Sequence, residues 1–442
     1  MTDPTPFRAF TNVAPLEYPA IIGPQEFSGW QDEQLSWKQN CYIGDWSFVP
    51  QIRVRGRDAL RLFKDLSVNS FENFPIGKAK HCIQCNDDGK VISEGILLRH
   101  GEDDFEYECG TPQWLYYNIV TGGYDVDVEF PLTHKLQVSG PKSLPLLEKL
   151  VGTSLRDVKF MRTKPVSING IDAFALRQGM AGEIGFELHG PIQNHDAIYQ
   201  AVWEAGQEFG IRRLGRRTIQ INHLEACYPT GGIHFMNALS DDSKADYRKF
   251  MDENLPPEWE ASPFAGPMRY NFATSFTGSW DGTAIEELYR SPVEMGWTKA
   301  INFDHDFVGS DALKAEVTTP RRSVVTLEFN SDDVIDVYRS LFQDGPTYHL
   351  FEVPHAPWVT CWTDKILLDG KTVGHATHPG YSAYFKRALA LSFIDVDHSA
   401  PGTPVSVLWG NPGEPQTEIR ATVAPAPYKQ DERRRDLSTL SI

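Results

Sequence analysis

Polar and apolar positions along the chain change period several times, and each change marks an element. Over 48–66, "FVPQIRVRGRDALRLFKDL", the alternation in QIRVR gives way after Gly56 to apolar residues at helical spacing. That pattern predicts a strand, a glycine turn and an amphipathic helix. The same order recurs at 136–150 as "LQVSGPKSLPLLEKL", so the two units read as an internal structural repeat. Between them, 76–130 reads as short strands, with a hairpin signal at Asn86-Asp87-Asp88-Gly89. Residues 193–210, "QNHDAIYQAVWEAGQEFG", predict a helix closed by Gly210, and a second helix is expected through 214–227.

From Phe235 to about Arg290 no period is sustained. The stretch "LPPEWEASPFAGPMRYNFATSFTGSWDGT" is crowded with proline, glycine and the aromatics Trp259, Phe264, Tyr270, Phe272, Phe276 and Trp280. It is too aromatic for a disordered linker and reads as an ordered insertion or lid, its rings anchoring it to the body or lining a pocket for a flat substrate. Residues 320–425 return to short strands and turns, as in a C-terminal β-barrel or Greek-key unit. The fold class is α+β, with a cleft and a lid.

One strand carries a conflict. In "RQGMAGEIGFELHGP", residues 177–191, alternation buries the positions around Glu187, which lies between Phe186 and Leu188. A carboxylate there is costly unless something binds it. Glu187 therefore marks either a salt bridge inside a cleft or a ligand contact.

Charge and cysteine usage narrow the class. With 42 basic against 59 acidic residues the chain carries −17, which argues against nucleic acid or an anionic membrane as partner. No apolar run approaches the roughly 18 residues that span a bilayer. The start, "MTDPTPFRAF", lacks a signal-peptide pattern, so a cytoplasmic enzyme is expected. Cys82 and Cys85 form a C-x-x-C with no second ligand pair after it, and on a strand positions i and i+3 face opposite sides. They read as core or pocket thiols, and no metal site is expected.

Six stretches, in order, resemble the glycine-cleavage T-protein (aminomethyltransferase) superfamily. "GMAGEIGFELHGP" is similar to its Y-T-G-E-x-G-[FY]-E-[IL] signature, and "RLGRRTIQINHLEACYPTGG" to its G-L-G-A-R-D segment. "SPVEMGWTKAINFDHDFVGSDALK" is similar to its S-P-x-x-x-x-x-G-W segment. "IRVRGRDALRLF", "GKAKHCIQCNDDGKVISEGILL" and "LQVSGPKS" resemble landmarks nearer the front. The resemblance implies three domains in a ring around a central funnel for tetrahydrofolate, with a C-terminal β-barrel. The expected divisions are 1–235, a folate-binding core of two interleaved α+β domains; 236–290, the aromatic-rich insertion; and 291–442, a linker and the barrel.

It also implies site residues. Glu187 matches the glutamate that binds the pterin, and a carboxylate suits two parallel N–H donors. Glu183, the first glutamate of the signature, closes the turn. Arg217 falls on the arginine of A-R-D and is expected to bridge to Glu187 or reach the ring. Arg212, Arg213 and Arg216 form a basic cluster around it, either a clamp for the glutamyl tail or surface residues paired with Glu204 or Glu208.

Several family positions are changed. The catalytic aspartate pair becomes Ser93 and Glu94, a tyrosine becomes His81, and the signature tyrosine becomes Met180. These changes surround the folate's reactive side, where Glu94 is expected to be catalytic and His81 to contact the cofactor, which implies the same cofactor with a different methyl donor. The resemblance is then to tetrahydrofolate-dependent O-demethylases of methoxylated aromatics. The amine itself is the nucleophile, and a general acid must serve the departing phenolate. Tyr228 and His223 are the first candidates for that acid and His81 another, because Ile219 stands where the aromatic demethylases carry their tyrosine. Competing expectations are an aminomethyltransferase, a demethylase of sulfonium or amine donors, and a non-enzymatic folate-binding scaffold. The last is disfavoured because "EACYPTGG" lacks the lysine and Gln-Glu of the scaffold motif.

Overall fold

The computed structural model describes residues 24–239, 244–260, 275–282, 284–353 and 360–440. Three sheets organise it. In spatial order the first contains Arg212–Arg213, Tyr42–Asp45, Thr133–Ser139, Gly185–Pro191, Ile171–Leu176 and Thr163–Ile168. The second contains Ala79–Cys85, Val91–Gly101, Asp104–Cys109, Gln51–Arg55 and Asp127–Glu129. The chain enters the first sheet at Tyr42, builds the second, and returns at Thr133, so the two α+β units are interleaved.

Each sheet buries one face under helices whose apolar residues recur at three- and four-residue intervals. Leu144, Leu147, Ile198 and Val202, from helices Ser143–Val151 and His195–Gly206, pack on Leu136, Val138, Phe186 and Leu188 of the first sheet. Leu62, Phe63, Leu66 and Leu115, from helices Ala59–Leu66 and Pro112–Gly122, do the same for Ile52, Val54 and Phe105 of the second.

The repeat read from the sequence is visible in the turns. Gly56 follows Gln51–Arg55 at φ +137°, and a Cβ there would lie 2.5 Å from the Asp125 carbonyl oxygen. Gly140 follows Thr133–Ser139 at φ +126°, and a Cβ would lie 2.7 Å from the Asn40 carbonyl oxygen. Two residues later, Asp58 and Lys142 donate their amides to those same carbonyls. Ala59 and Ser143 then donate back to Gly56 and Gly140. One turn design has been used twice, and both times only glycine fits it.

The hairpin is where it was expected. Asn86 donates its amide to the Lys90 carbonyl and accepts from the Lys90 amide on its side chain, with Gly89 at φ +71°. Cys82 and Cys85 do face opposite sides: Cys82 belongs to the core under Leu62 and Phe63, and Cys85 to a separate cluster with Leu313.

Helices Ala245–Asn254 and Pro257–Glu260 follow the two interleaved units and share a core with Trp114 and Leu288. Six strands then close into a barrel: Arg322–Phe329, Thr360–Leu368, Lys371–Ser382, Arg387–Asp395, Pro404–Trp409 and Thr417–Ala424. Pairing of Thr360–Leu368 with Pro404–Trp409 completes the circle and leaves no free edge among them. After the barrel the chain returns to the first sheet, where Leu437 is fully buried in its core. Among the described residues no helix is long and apolar enough to cross a membrane.

Candidate active site

The uncovered face of the first sheet is polar. Thr133–Ser139 and Gly185–Pro191 run antiparallel with Lys135 opposite His189 and Gln137 opposite Glu187. Since alternate residues share a face, these four stand together while Leu136, Val138, Phe186 and Leu188 fill the core behind them. The conflict at Glu187 is thus resolved by two matched strands, both polar on the same side.

Glu187 is 3% exposed. Gln137 Nε2 donates to its Oε1 at 3.1 Å, and His189 Nε2 lies 3.2 Å from its Oε2. The Gln137 amide cannot turn round, because its oxygen accepts from the Tyr42 hydroxyl and, at 3.3 Å, from the Met180 amide. Burial holds the Tyr42 phenol well above its ordinary pKa, so it remains a donor. The other ring nitrogen of His189, Nδ1, lies 3.2 Å from Glu108 Oε1. Burial opposes a charge on this ring, but Glu108 and then Glu187 outweigh it and raise its pKa to about 9. His189 is also stacked on Phe174, ring centres 4.8 Å apart. The three groups Glu108, Glu187 and His189 lie close enough to form a potential cation site. His189 stands between the two carboxylates, 3.2 Å from an oxygen of each.

Lys135 and Glu187 of this face line a cavity between the two sheets. Trp46, Phe48, Val49 and Pro50 form an apolar wall, and Glu94, Gly95 and Ile96 come from the second sheet. Met180, His223, Tyr228, Thr230 and Ile233 also line it. Glu94 is held by His81, whose Nε2 lies 2.8 Å from its Oε2. The His81 ring meets Trp297 edge-on at 4.7 Å. Burial, followed by the Glu94 charge, pushes the Tyr228 phenol well above its ordinary pKa. Its hydroxyl has no hydrogen-bond partner among the described residues. His223 lies 3.1 Å from the Thr230 hydroxyl through Nδ1, and its buried Nε2 is unpartnered. Burial lowers its pKa to about 3, so it is neutral and has no cationic proton to offer.

Four of the sequence-derived residues, Glu187, Glu94, Tyr228 and His223, therefore line one cavity, with His81 directly behind Glu94. Arg217 is elsewhere. Helix Arg216–Ala226 begins against residues 24–26, and Arg217 Nη1 pairs with Glu26 Oε1 at 2.6 Å rather than bridging to Glu187. The neighbouring arginines follow it. Arg212 pairs with Asp32, and Arg213 stacks on Trp203 at 4.3 Å. Glu204 and Glu208 turn to Gln200 and Lys149 instead.

Glu183 does brace the turn before Glu187. Lys429 pairs with its carboxylate and donates to the Ala181 and Gly182 carbonyls at 3.2 and 3.1 Å. Among the insertion aromatics, Trp259 packs on Phe130 at 4.6 Å and Trp280 donates to Glu287 at 2.8 Å. Both belong to the core beside Trp114, with Phe276 packed against it. Phe264, Tyr270 and Phe272 lie outside the described residues. Lys135, Gln137, Glu108 and His189 were not foreseen, although the inverted alternation of "THKLQVS" was a signal for the first two.

Comparison with known proteins gives this arrangement a family. A family model described as the GCVT N-terminal domain matches residues 8–240, and one described as the glycine cleavage T-protein C-terminal barrel domain matches 350–428. Sesamin methylene transferase of Sinomonas sp. (strain No.22) is 33% identical over 434 residues, covering 95% of this chain and 93% of that protein. Syringate O-demethylase of Sphingobium sp. (strain NBRC 103272 / SYK-6) is 33% identical over 438 residues, covering 94% and 91%. The crystal structure of glycine cleavage system aminomethyltransferase T from Bartonella henselae shares the fold, with a TM-score of 0.64 at 17% identity over 91% of this chain and 90% of that one. The chain belongs to the glycine cleavage T-protein family, whose enzymes are tetrahydrofolate-dependent transferases.

Proposed function

We propose that this protein is a tetrahydrofolate-dependent O-demethylase, moving a methyl group from a methoxylated aromatic compound to N5 of tetrahydrofolate. The folate fits the donor set. Glu187 already accepts one contact on each oxygen, and a carboxylate has about four lone-pair sites, so capacity remains for the N–H edge of a pterin. Tetrahydrofolate supplies the nucleophilic amine. Glu187, fixed by Gln137 and His189, binds and orients it, while Trp46, Phe48 and Met180 exclude water. Glu94, held by His81, places a carboxylate on the reactive side in place of the family's aspartate.

The observation that carries the reading is the Tyr228 hydroxyl. Tyr228 lines the same cavity as Glu187 and Glu94, and burial and the Glu94 charge keep its phenol protonated. Such a group can give its proton to a departing phenolate oxygen, which an amine or sulfonium donor does not require. Similarity to syringate O-demethylase supports the aromatic methoxyl donor. Equal similarity to sesamin methylene transferase supports a second reading, transfer of a methylene carbon from an aryl methylenedioxy group, which would use the same proton donor.

The test is product analysis. The protein is incubated with tetrahydrofolate and, separately, a methoxybenzoate series, a methylenedioxybenzene, a methylsulfonium compound or a methylated amine, and folates are separated by mass. Formation of 5-methyltetrahydrofolate with the matching phenol supports the first reading, and methylenetetrahydrofolate with a catechol supports the second. Formation of 5-methyltetrahydrofolate only from sulfonium or amine donors would sink both.

A further inference from the structure

Lys135 is a buried cation without a counter-ion. It is 2% exposed and forms part of the cavity wall. Its Nζ donates to the Val49 carbonyl at 2.9 Å and to Gln51 Oε1 at 2.7 Å. Both acceptors are neutral, and an ammonium has a third N–H to place. Among the described residues no carboxylate pairs with it. Glu108 and Glu187 do not serve, because both turn to His189. His189 is also the cross-strand neighbour of Lys135, so two positive groups stand side by side on this face of the sheet. Like charges in that position repel. A buried charge is costly until paired, and Trp46, Phe48 and Pro50 on the same wall leave little water to screen it.

We propose that Lys135 is a carboxylate-recognition point, taking either a carboxylate on the aromatic donor or a carboxylate of the folate glutamyl tail. This rests on the function proposed above. In either case Lys135 sets a preference for anionic ligands in a protein whose own net charge is negative.

The test uses two matched pairs of probes: 3-methoxybenzoate against 3-methoxybenzyl alcohol, and tetrahydropteroylglutamate against tetrahydropteroate. Affinities are measured by calorimetry in the full chain and in Lys135→Met, which keeps the side-chain length and removes the charge. Loss of a charge-assisted contact weakens binding by about tenfold or more. If that loss falls on 3-methoxybenzoate and spares the alcohol, the carboxylate is the donor's. If it falls on tetrahydropteroylglutamate and spares tetrahydropteroate, it is the folate tail's. Unchanged affinity for all four probes overturns the proposal and leaves Lys135 as a clamp between Val49 and Gln51.

Should Lys135→Met not fold, the unaltered protein decides. The proposal requires about tenfold tighter binding of the anionic member in at least one pair. Parity in both pairs refutes it. Failure of the underlying function is separate, appearing as no methyl transfer to tetrahydrofolate from any donor whatever the binding pattern.

Discussion

Stability should fall as pH rises through the titration of His189, and the size of the fall can be worked out. In the folded protein its pKa is about 9, against 6.5 for the free side chain. A raised folded-state pKa contributes stability that is fully present below the unfolded value and is lost as pH rises through the folded one. The window is therefore pH 6.5 to about 9. At about 1.4 kcal/mol per unit, the ring contributes on the order of 3 kcal/mol at its acid end. His195 titrates in the same window because Asp45 and Asp196 also lift its pKa to about 9, so the unaltered protein alone cannot isolate one ring. His189→Gln can. Urea unfolding at half-unit steps from pH 6 to 10 should show the variant less stable at the acid end. The gap should narrow toward the alkaline end, where the histidine has lost its proton. A gap that stays constant across the range would refute the charge assignment and with it the account of how Glu108 and Glu187 are tolerated in the interior.

Three further outcomes concern the cavity. Glu187→Gln keeps the shape and removes the charge, and calorimetry should show tetrahydrofolate binding weakened about 10- to 150-fold, the equivalent of roughly 1.5–3 kcal/mol; undiminished binding would remove Glu187 from the pterin site. Glu94→Gln should lower turnover about a hundredfold or more in a methyl-transfer assay while folate affinity barely moves, and wild-type turnover would show that the carboxylate is idle. Tyr228→Phe should lower turnover about 10²- to 10⁴-fold, less for donors whose departing phenol is more acidic; an equal effect on every donor would make the hydroxyl structural.

Much of this was legible in local sequence, and the reason it was not all legible is physical. The strand–glycine–helix units at Gly56 and Gly140 were readable because period and turn chemistry are local properties. Glu187 was readable because alternation made its carboxylate incongruous. Lys135 and Gln137 showed the same incongruity, but nothing local says that their strand lies against Glu187 in a particular register. His189 needed both that register and Glu108 from the other sheet. Arg217 was misplaced for the complementary reason: its motif fixes its position on a helix, while its partner Glu26 comes from a segment with no recognisable pattern. The insertion aromatics Trp259 and Trp280 read equally well as anchors or pocket walls, since composition does not distinguish the two faces of a ring.

The brace on the turn before Glu187 has a consequence for the order in which the protein is made. Lys429 reaches back 246 positions to Glu183, Glu432 donates its amide to the Gly182 carbonyl, and Arg435 supplies a carbonyl to Arg177. A nascent chain that has already emerged with both interleaved units and most of the barrel still lacks these three contacts. The strand bearing Glu187 can pair with its neighbours early in synthesis, but the turn that aims it is secured only after residue 435 has left the ribosome. A settled position for Glu187 is thereby deferred until the segment beyond the barrel has been made.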